Sequence, residues 1–213
     1  MDILLASATE FEVDFEKSQN LLSTNSSLTK LITGVGLPNA MYQLTRAILL
    51  TNYDFVIQAG IAGAADKLNL GTVVMINEDT FADAGIYENG TFSTFFDSGF
   101  ADKDDFPFTN GWLRNDNLPE LGMLHCRSVT VNTITDEKAI INYQNKRFNA
   151  AVESMEGAAL HYVCLMNKVP FLQVRSISNM VGERDKSKWQ MSTAINNLNE
   201  ALPNIINSII NLR

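Results

Sequence analysis

The 213-residue sequence is short of the residues from which disulfide scaffolds and metal centres are built, with two cysteines, two histidines and five prolines. Cys126 and Cys164 cannot form a disulfide framework; in apolar surroundings they read as inert core residues. His125 and His161 lie apart without partners at ligand spacing and read as structural, so no metal site is expected. Positive charge is scarce as well. Sixteen Lys and Arg stand against 24 Asp and Glu, a net charge of −8, which argues against nucleic acid or anionic membrane as a partner. No run approaches the ~18 apolar residues of a membrane span, and residues 3–6 are too short for a signal-peptide core. P-loop, GxGxxG, HExxH and GxSxG patterns are all absent. The expectation is an acidic, cytoplasmic globular protein.

What is present is a series of short apolar runs at residues 3–8, 31–35, 55–59, 73–76, 128–131 and 171–177. Their continuity suits strands covered on both faces. Helical spacing falls between them. Pro38 opens a stretch with Met41, Leu44, Ile48 and Leu49 at three-to-four spacing, and Met155, Ala159, Tyr162, Val163 and Met166 repeat likewise before Pro170. Ile195, Leu198, Leu202, Ile205 and Ile209 form a C-terminal stripe, within which Pro203 predicts a kink or break. The pattern predicts a single α/β domain over residues 1–213, a three-layer sandwich with a mixed central sheet flanked by helices. Residues 82–118 lack a sustained period and read as a binding or interface loop. The aromatics there, from Phe92 to Trp112, either line a pocket or subunit contact or anchor the loop to the core.

Four residues carry the chemical expectations. Glu12 follows the first strand near the carboxyl edge where α/β sheets bind ligands, although its acidic neighbours show that a plain surface charge fits too. Glu156 lies in the first turn of its helix near the buried side, where it either caps the helix or meets donors such as sugar hydroxyls. Arg175 sits inside an apolar strand and must be paired, with Glu156 or Glu12 the natural partners. Asn179, just beyond that strand, is either a turn residue or an amide presenting both donor and acceptor.

The run VESMEGAALHYVCLMNKVPFLQVRSISN over residues 152–179, with the glycine turn Gly60-Ile61-Ala62-Gly63 and Glu12, resembles the nucleoside phosphorylase and nucleosidase superfamily. It resembles in particular the 5′-methylthioadenosine/S-adenosylhomocysteine nucleosidases and, within that branch, futalosine hydrolase. The resemblance implies N-glycosidic hydrolysis of a purine nucleoside with no metal or organic cofactor, in a homodimer or higher homo-oligomer. It implies that Glu12 activates a water and that Glu156 accepts hydrogen bonds from the ribose hydroxyls. Met155 would pack beneath the ribose, and Arg175 would hold carboxylates and water. Gly63, Ser178 and the backbone around Ile134 would touch the nucleoside. Where adenine-specific relatives carry an aspartate after R-x-I-S, this chain has Asn179. Its amide cannot be an acid, but it can accept from N7–H and donate to a 6-oxo group, which favours hypoxanthine, because a mispaired edge leaves buried polar groups unmatched at about 1–3 kcal/mol each. Futalosine is therefore the expected substrate. The expected alternatives are a methylthioadenosine or aminodeoxyfutalosine nucleosidase, a phosphorylase, and a nucleoside-binding protein. Thr133 replaces a stacking aromatic and Ile61 a serine of the family pattern. The aromatic loop, with Arg114 or Lys103, would meet the carboxyphenyl end of futalosine.

Overall fold

The first apolar run becomes β1 (Asp2–Ser7), paired in parallel with β2 (Ser27–Ile32) on one side and β3 (Phe55–Ala64) on the other. The structure is a computed structural model that describes residues 1–20, 26–65 and 68–211. β3 also runs parallel to β11 (Phe171–Met180), which lies antiparallel to β4 (Val73–Asp79). β4 is parallel to β9 (His125–Thr130), β9 is parallel to β10 (Val152–Ser154), and β10 returns antiparallel to β3. These five pairings close a ring, so the mixed sheet curls into a small barrel at its centre while β1 and β2 continue as an open wing. Closure removes exposed edges where β3 and β11 end and β10 begins.

Alternation along β1 feeds two cores. Leu4 and Ala6 pack with Val56 against α2 (Leu37–Leu50) and α4 (Gly157–Asn167), through Leu44, Ile48, Leu160 and Val163. Ile3 and Leu5 pack with Ile57 and Val174 on the opposite face against α5 (Met191–Ile210), through Leu198, Leu202, Ile205 and Ile206. This is the layered α/β arrangement that the sequence pattern predicts. Each buried Leu or Ile of the α5 stripe contributes about 1.5–3 kcal/mol before entropy is counted. Pro203 lies buried inside α5, and the helix continues through it without the expected break.

Other expectations shift. The glycine turn after residue 59 is instead the continuation of β3 through Ala64. β2 begins and ends earlier than the apolar run at 31–35, because Gly34 and Gly36 both take positive φ and turn the chain away. β10 has three residues and α3 (Lys138–Phe148) a weak apolar stripe, so neither announces itself locally.

Residues 82–118 are more regular than their composition suggests. β5 (Gly85–Glu88) and β6 (Thr91–Thr94) form a hairpin turned by Asn89-Gly90, with φ of 51° and 76°. β7 (Phe108–Thr109) and β8 (Trp112–Arg114) form another, turned by Asn110-Gly111 at 51° and 79°. Asn-Gly favours such turns because both positions need positive φ. Most of the aromatics anchor this segment, while Phe100 and Phe106 are exposed and Phe92 also lines a cavity. Phe96 packs on Phe95 and Phe108, with ring centroids 4.1 and 5.0 Å apart, and Phe108 reaches Tyr162 of α4 at 6.1 Å. Phe92 and Trp112 pack against Tyr143 and Phe148 of α3.

Candidate active site

The C-terminal ends of β1, β3 and β11, the start of α4 and the start of α5 surround a cavity of about 360 Å³. Glu12, Gly63, Ile134, Met155, Glu156, Ser178 and Asn179 all line it. Arg175 does not: its side chain is 1% exposed and lies behind the wall. Arg175, expected to bind at the site by holding the carboxylates and water, stands beside Glu156 behind the wall and is not among the residues that line the cavity. An arginine in the middle of β11 points into the sheet's interior, whereas Ser178 and Asn179 lie at the strand's open end.

Glu12 is held in place by its chain neighbourhood and by β3. Its Oε2 accepts from the Thr9 amide at 2.9 Å and the Thr9 hydroxyl at 3.1 Å, and its Oε1 accepts from the Ile61 amide at 3.1 Å. The Asn199 side chain of α5 donates to the Glu12 carbonyl at 3.0 Å and fixes the backbone as well. Only 8% of Glu12 is exposed, so it is no ordinary surface charge.

Glu156 is the N-cap residue of α4 rather than a first-turn residue, yet its carboxylate makes no cap bond. The capping is done elsewhere: the Ser154 hydroxyl accepts from the Gly157 amide at 3.2 Å, and the Thr130 hydroxyl accepts from Ala158 at 2.8 Å. With those helix donors satisfied, Glu156 is released toward the cavity. Its Oε1 accepts from the Gly36 amide at 2.9 Å, and Oε2 lies 4.0 Å from Arg175 Nη1, an ion-pair contact rather than a hydrogen bond. Gly36 holds φ 91° and ψ 157°, a conformation open to glycine and strained for other residues. Burial lifts the Glu156 carboxyl above its ordinary range, opposed by the Arg175 charge and the Gly36 amide and reinforced by the Glu12 charge.

Arg175 donates from Nη2 to Gln58 Oε1 at 2.8 Å, and the Gln58 amide faces the Glu156 carbonyl at 3.5 Å. Asn179 closes the far wall. Its Oδ1 accepts from the Ser178 hydroxyl at 2.8 Å and its Nδ2 donates to the Met180 carbonyl at 3.0 Å, leaving one amide proton and one lone pair unassigned. A bulge between Ile177 and Asn179 resets the ladder so that Asn179, not Ser178, stands opposite Gly63.

Several contributors had no expectation attached to them. Gln58 and the Thr9 donors carry no sequence signature, since their roles depend on which strand lies alongside. Glu153, inside the VESMEG run, also lines the cavity. So do Arg184 and Trp189, which stack with the guanidinium carbon 5.6 Å from the ring centre, and the apolar rim of Phe11, Val35 and Met191. The aromatics of 82–118 and Arg114 and Lys103 are not in this wall; Arg114 pairs with Glu78, and Lys103 with Asn110. A second cavity of about 360 Å³ lies between the β5–β6 hairpin and α3. Its one carboxylate, Asp83, already accepts from the Asn132 and Thr133 amides at 2.6 and 3.0 Å. The chemistry concentrates in the first cavity.

His161 is buried and bonds the Leu113 carbonyl through Nδ1 at 3.0 Å, a structural role. Burial pushes both cysteine thiols up, which makes them poor nucleophiles. Among the described residues, no group of three or more His, Cys, Asp or Glu is placed to hold a metal ion, and no helix is long and apolar enough to cross a membrane.

Comparison with known proteins gives concordant results. The family model for the Phosphorylase superfamily matches residues 24–211. A futalosine hydrolase from Thermus thermophilus is 27% identical over 180 residues, covering 83% of this chain and 80% of that protein. A futalosine hydrolase from Acidothermus cellulolyticus is 30% identical over 179 residues, covering 80% of this chain and 72% of that protein. The crystal structure of a 5′-methylthioadenosine/S-adenosylhomocysteine nucleosidase from Colwellia psychrerythraea in complex with adenine aligns at TM-score 0.75 and 20% identity, over 98% of this chain and 95% of that one.

Proposed function

This chain belongs to the phosphorylase superfamily, and from that premise we propose that it hydrolyses the N-glycosidic bond of a 6-oxopurine nucleoside, futalosine foremost, releasing hypoxanthine. It is an N-glycosyl hydrolase; the purine and the 5′ group are the proposed part, as is a place in menaquinone biosynthesis.

One observation carries the choice of water over phosphate. The donors at the sugar end of the cavity, the Thr9 amide and hydroxyl and the Ile61 amide, are all taken up by the Glu12 carboxylate. A phosphate entering there would meet a built-in negative charge instead of free donors. The same carboxylate suits removal of a proton from water.

In the proposed reaction the C1′–N9 bond stretches toward an oxocarbenium-like sugar, which nearby carboxylates stabilise. Glu12 takes the proton of the attacking water. Glu156 accepts from the ribose 2′ and 3′ hydroxyls, held in position by Gly36 and by Arg175 behind it. Met155 packs beneath the sugar. The free amide proton of Asn179 donates to the 6-oxo group and its free lone pair accepts from N7–H, a pairing that adenine reverses at the 6-position. The apolar rim of Phe11, Val35 and Met191 suits an aryl 5′ substituent, and Arg184 beside Trp189 suits its carboxylate.

The test is to incubate purified protein with futalosine, aminodeoxyfutalosine, inosine and methylthioadenosine, with and without phosphate, and to separate the bases by chromatography. Hypoxanthine from futalosine at a rate indifferent to phosphate is expected. Faster release of adenine from methylthioadenosine, or a sugar 1-phosphate product, would overturn the assignment.

A further inference from the structure

Asn179 presents an amide, and an amide has no proton to give to a departing purine. Another wall residue does. Glu153 pairs with Gly63 across the antiparallel β10–β3 ladder, and Asn179 pairs with the same Gly63 across the parallel β11–β3 ladder. The three residues therefore stand in one row across three strands. Strands are spaced about 4.8 Å apart, which puts the outer two backbones about 10 Å apart, a gap that two side chains reaching over Gly63 can close on one edge of a purine. Side chains in one row project to one face of the sheet. A Cβ built on Gly63 would lie 3.5 Å from Asn179 Nδ2, so the face is the one that Asn179 occupies, and Glu153 lines the same cavity. Glycine keeps the middle of the row low, and the side chain nearest to it is Val181, whose Cγ2 would lie 3.2 Å from that Cβ. The Glu153 carboxyl is half-buried and has no hydrogen-bond partner among the described residues, unlike Glu12 and Glu156.

We propose that Glu153 is the general acid of this site: directly or across one water, it delivers the proton that the departing purine takes up. This rests on the nucleosidase reading above and completes it. The Glu153 O–H bond breaks and an N–H bond forms at N7 of the purine, the position whose N–H the Asn179 oxygen accepts. The C1′–N9 pair leaves with the base as neutral hypoxanthine. The water oxygen bonds C1′ and its proton passes to Glu12. Exchange with solvent then returns a proton to Glu153 and removes one from Glu12. The protonation state agrees: burial, with Asp83 adding its charge, pushes the Glu153 carboxyl up to about 7. The charged groups around it are Asp83 from the segment after β4, Glu156 on its own segment, and Glu12, Glu183 and Arg184 across the cavity.

The experiment compares wild type with Glu153→Gln and Glu153→Asp on two substrates, futalosine and 4-nitrophenyl riboside, whose phenolate departs without a proton. Glu153→Gln should lower kcat on futalosine by ~10²-fold or more. The loss on the nitrophenyl riboside should be at least ~10-fold smaller. The basic limb of the wild-type kcat/KM profile, where the acid is lost, should disappear in Glu153→Gln, and Glu153→Asp should restore part of the rate. Equal losses on both substrates, or an unchanged pH profile, would overturn the role of Glu153. Should wild type release no base from any purine nucleoside, the nucleosidase reading itself would fall, which separates the two outcomes.

Discussion

Glu12 and Arg175 reach the same point over β3 from opposite ends of the chain: a Cβ on Gly60 would lie 2.9 Å from Glu12 Oε1 and 2.6 Å from Arg175 Nη1. The missing side chain is what lets an acid and a cation converge beneath the cavity. Both ends are tethered, Glu12 by Thr9 and Ile61 and Arg175 by Gln58, so neither can swing aside freely.

Gly60→Ala should therefore damage activity more than folding. Overpacking is expected to cost about 1–3 kcal/mol, while displacement of the Glu12 carboxylate lowers kcat by ~10-fold or more. Denaturant melts and steady-state rates measure the two; full activity would show that the tethers yield.

Glu12→Gln and Glu156→Gln should each reduce turnover by ~10²-fold or more, the scale of a lost general base. They should differ on a 2′-deoxynucleoside. Without that hydroxyl, the relative loss from Glu156→Gln shrinks, whereas the loss from Glu12→Gln persists. Near-wild-type rates in either variant would remove that residue from the proposed mechanism.

Asn179→Asp should move preference toward 6-amino purines by replacing a donor with an acceptor or acid. The ratio of kcat/KM for inosine to that for adenosine is the readout, with a shift of ~10-fold or more expected from one unmatched buried group. An unchanged ratio would refute the edge-reading argument.

Arg184→Ala should raise KM for futalosine by ~10-fold, the scale of a partly exposed charged hydrogen bond, and leave inosine, which lacks the distal carboxylate, within about twofold. Equal effects on both nucleosides would place Arg184 on the sugar or the base rather than on the 5′ group.

His161 gives a pH-dependent stability. Complete burial pushes its ring down to about 4 from 6.5, so the fold keeps it neutral. Its contribution is whole above pH 6.5 and is lost as pH falls toward 4, since the unfolded chain takes up the proton first. Asp79 acts in the opposite sense: burial pushes it up to about 6, so its contribution declines as pH rises through the same range. The stability difference between His161→Gln and wild type isolates the histidine. It should shift in favour of the variant by about 3 kcal/mol between pH 7 and pH 4. Parallel curves from denaturant melts would show that His161 is charged in the fold.

Residue order alone was enough to set the layers. The apolar runs, the in-phase stripes of α2 and α5, and the VESMEG and VRSIS motifs are local patterns, and local periodicity reports which face of an element is dry; α4 departs from its expected stripe, being buried nearly all round with Met155 ahead of it and Met166 exposed. Glu156, Asn179 and Glu12 could be picked out as candidates for the same reason. The Asn-Gly turns at 89–90 and 110–111 were equally local signals, hidden by an aromatic-rich composition that reads as irregular. Convergence was another matter. That Gly60 and Gly63 lie in extended strand, that Ser154 and Thr130 take over the capping of α4 and release Glu156, and that Glu153 and Asn179 flank one glycine all follow from ladder register. Register joins residues by hydrogen bonds between strands far apart along the chain, and no periodicity within a single strand encodes its partner.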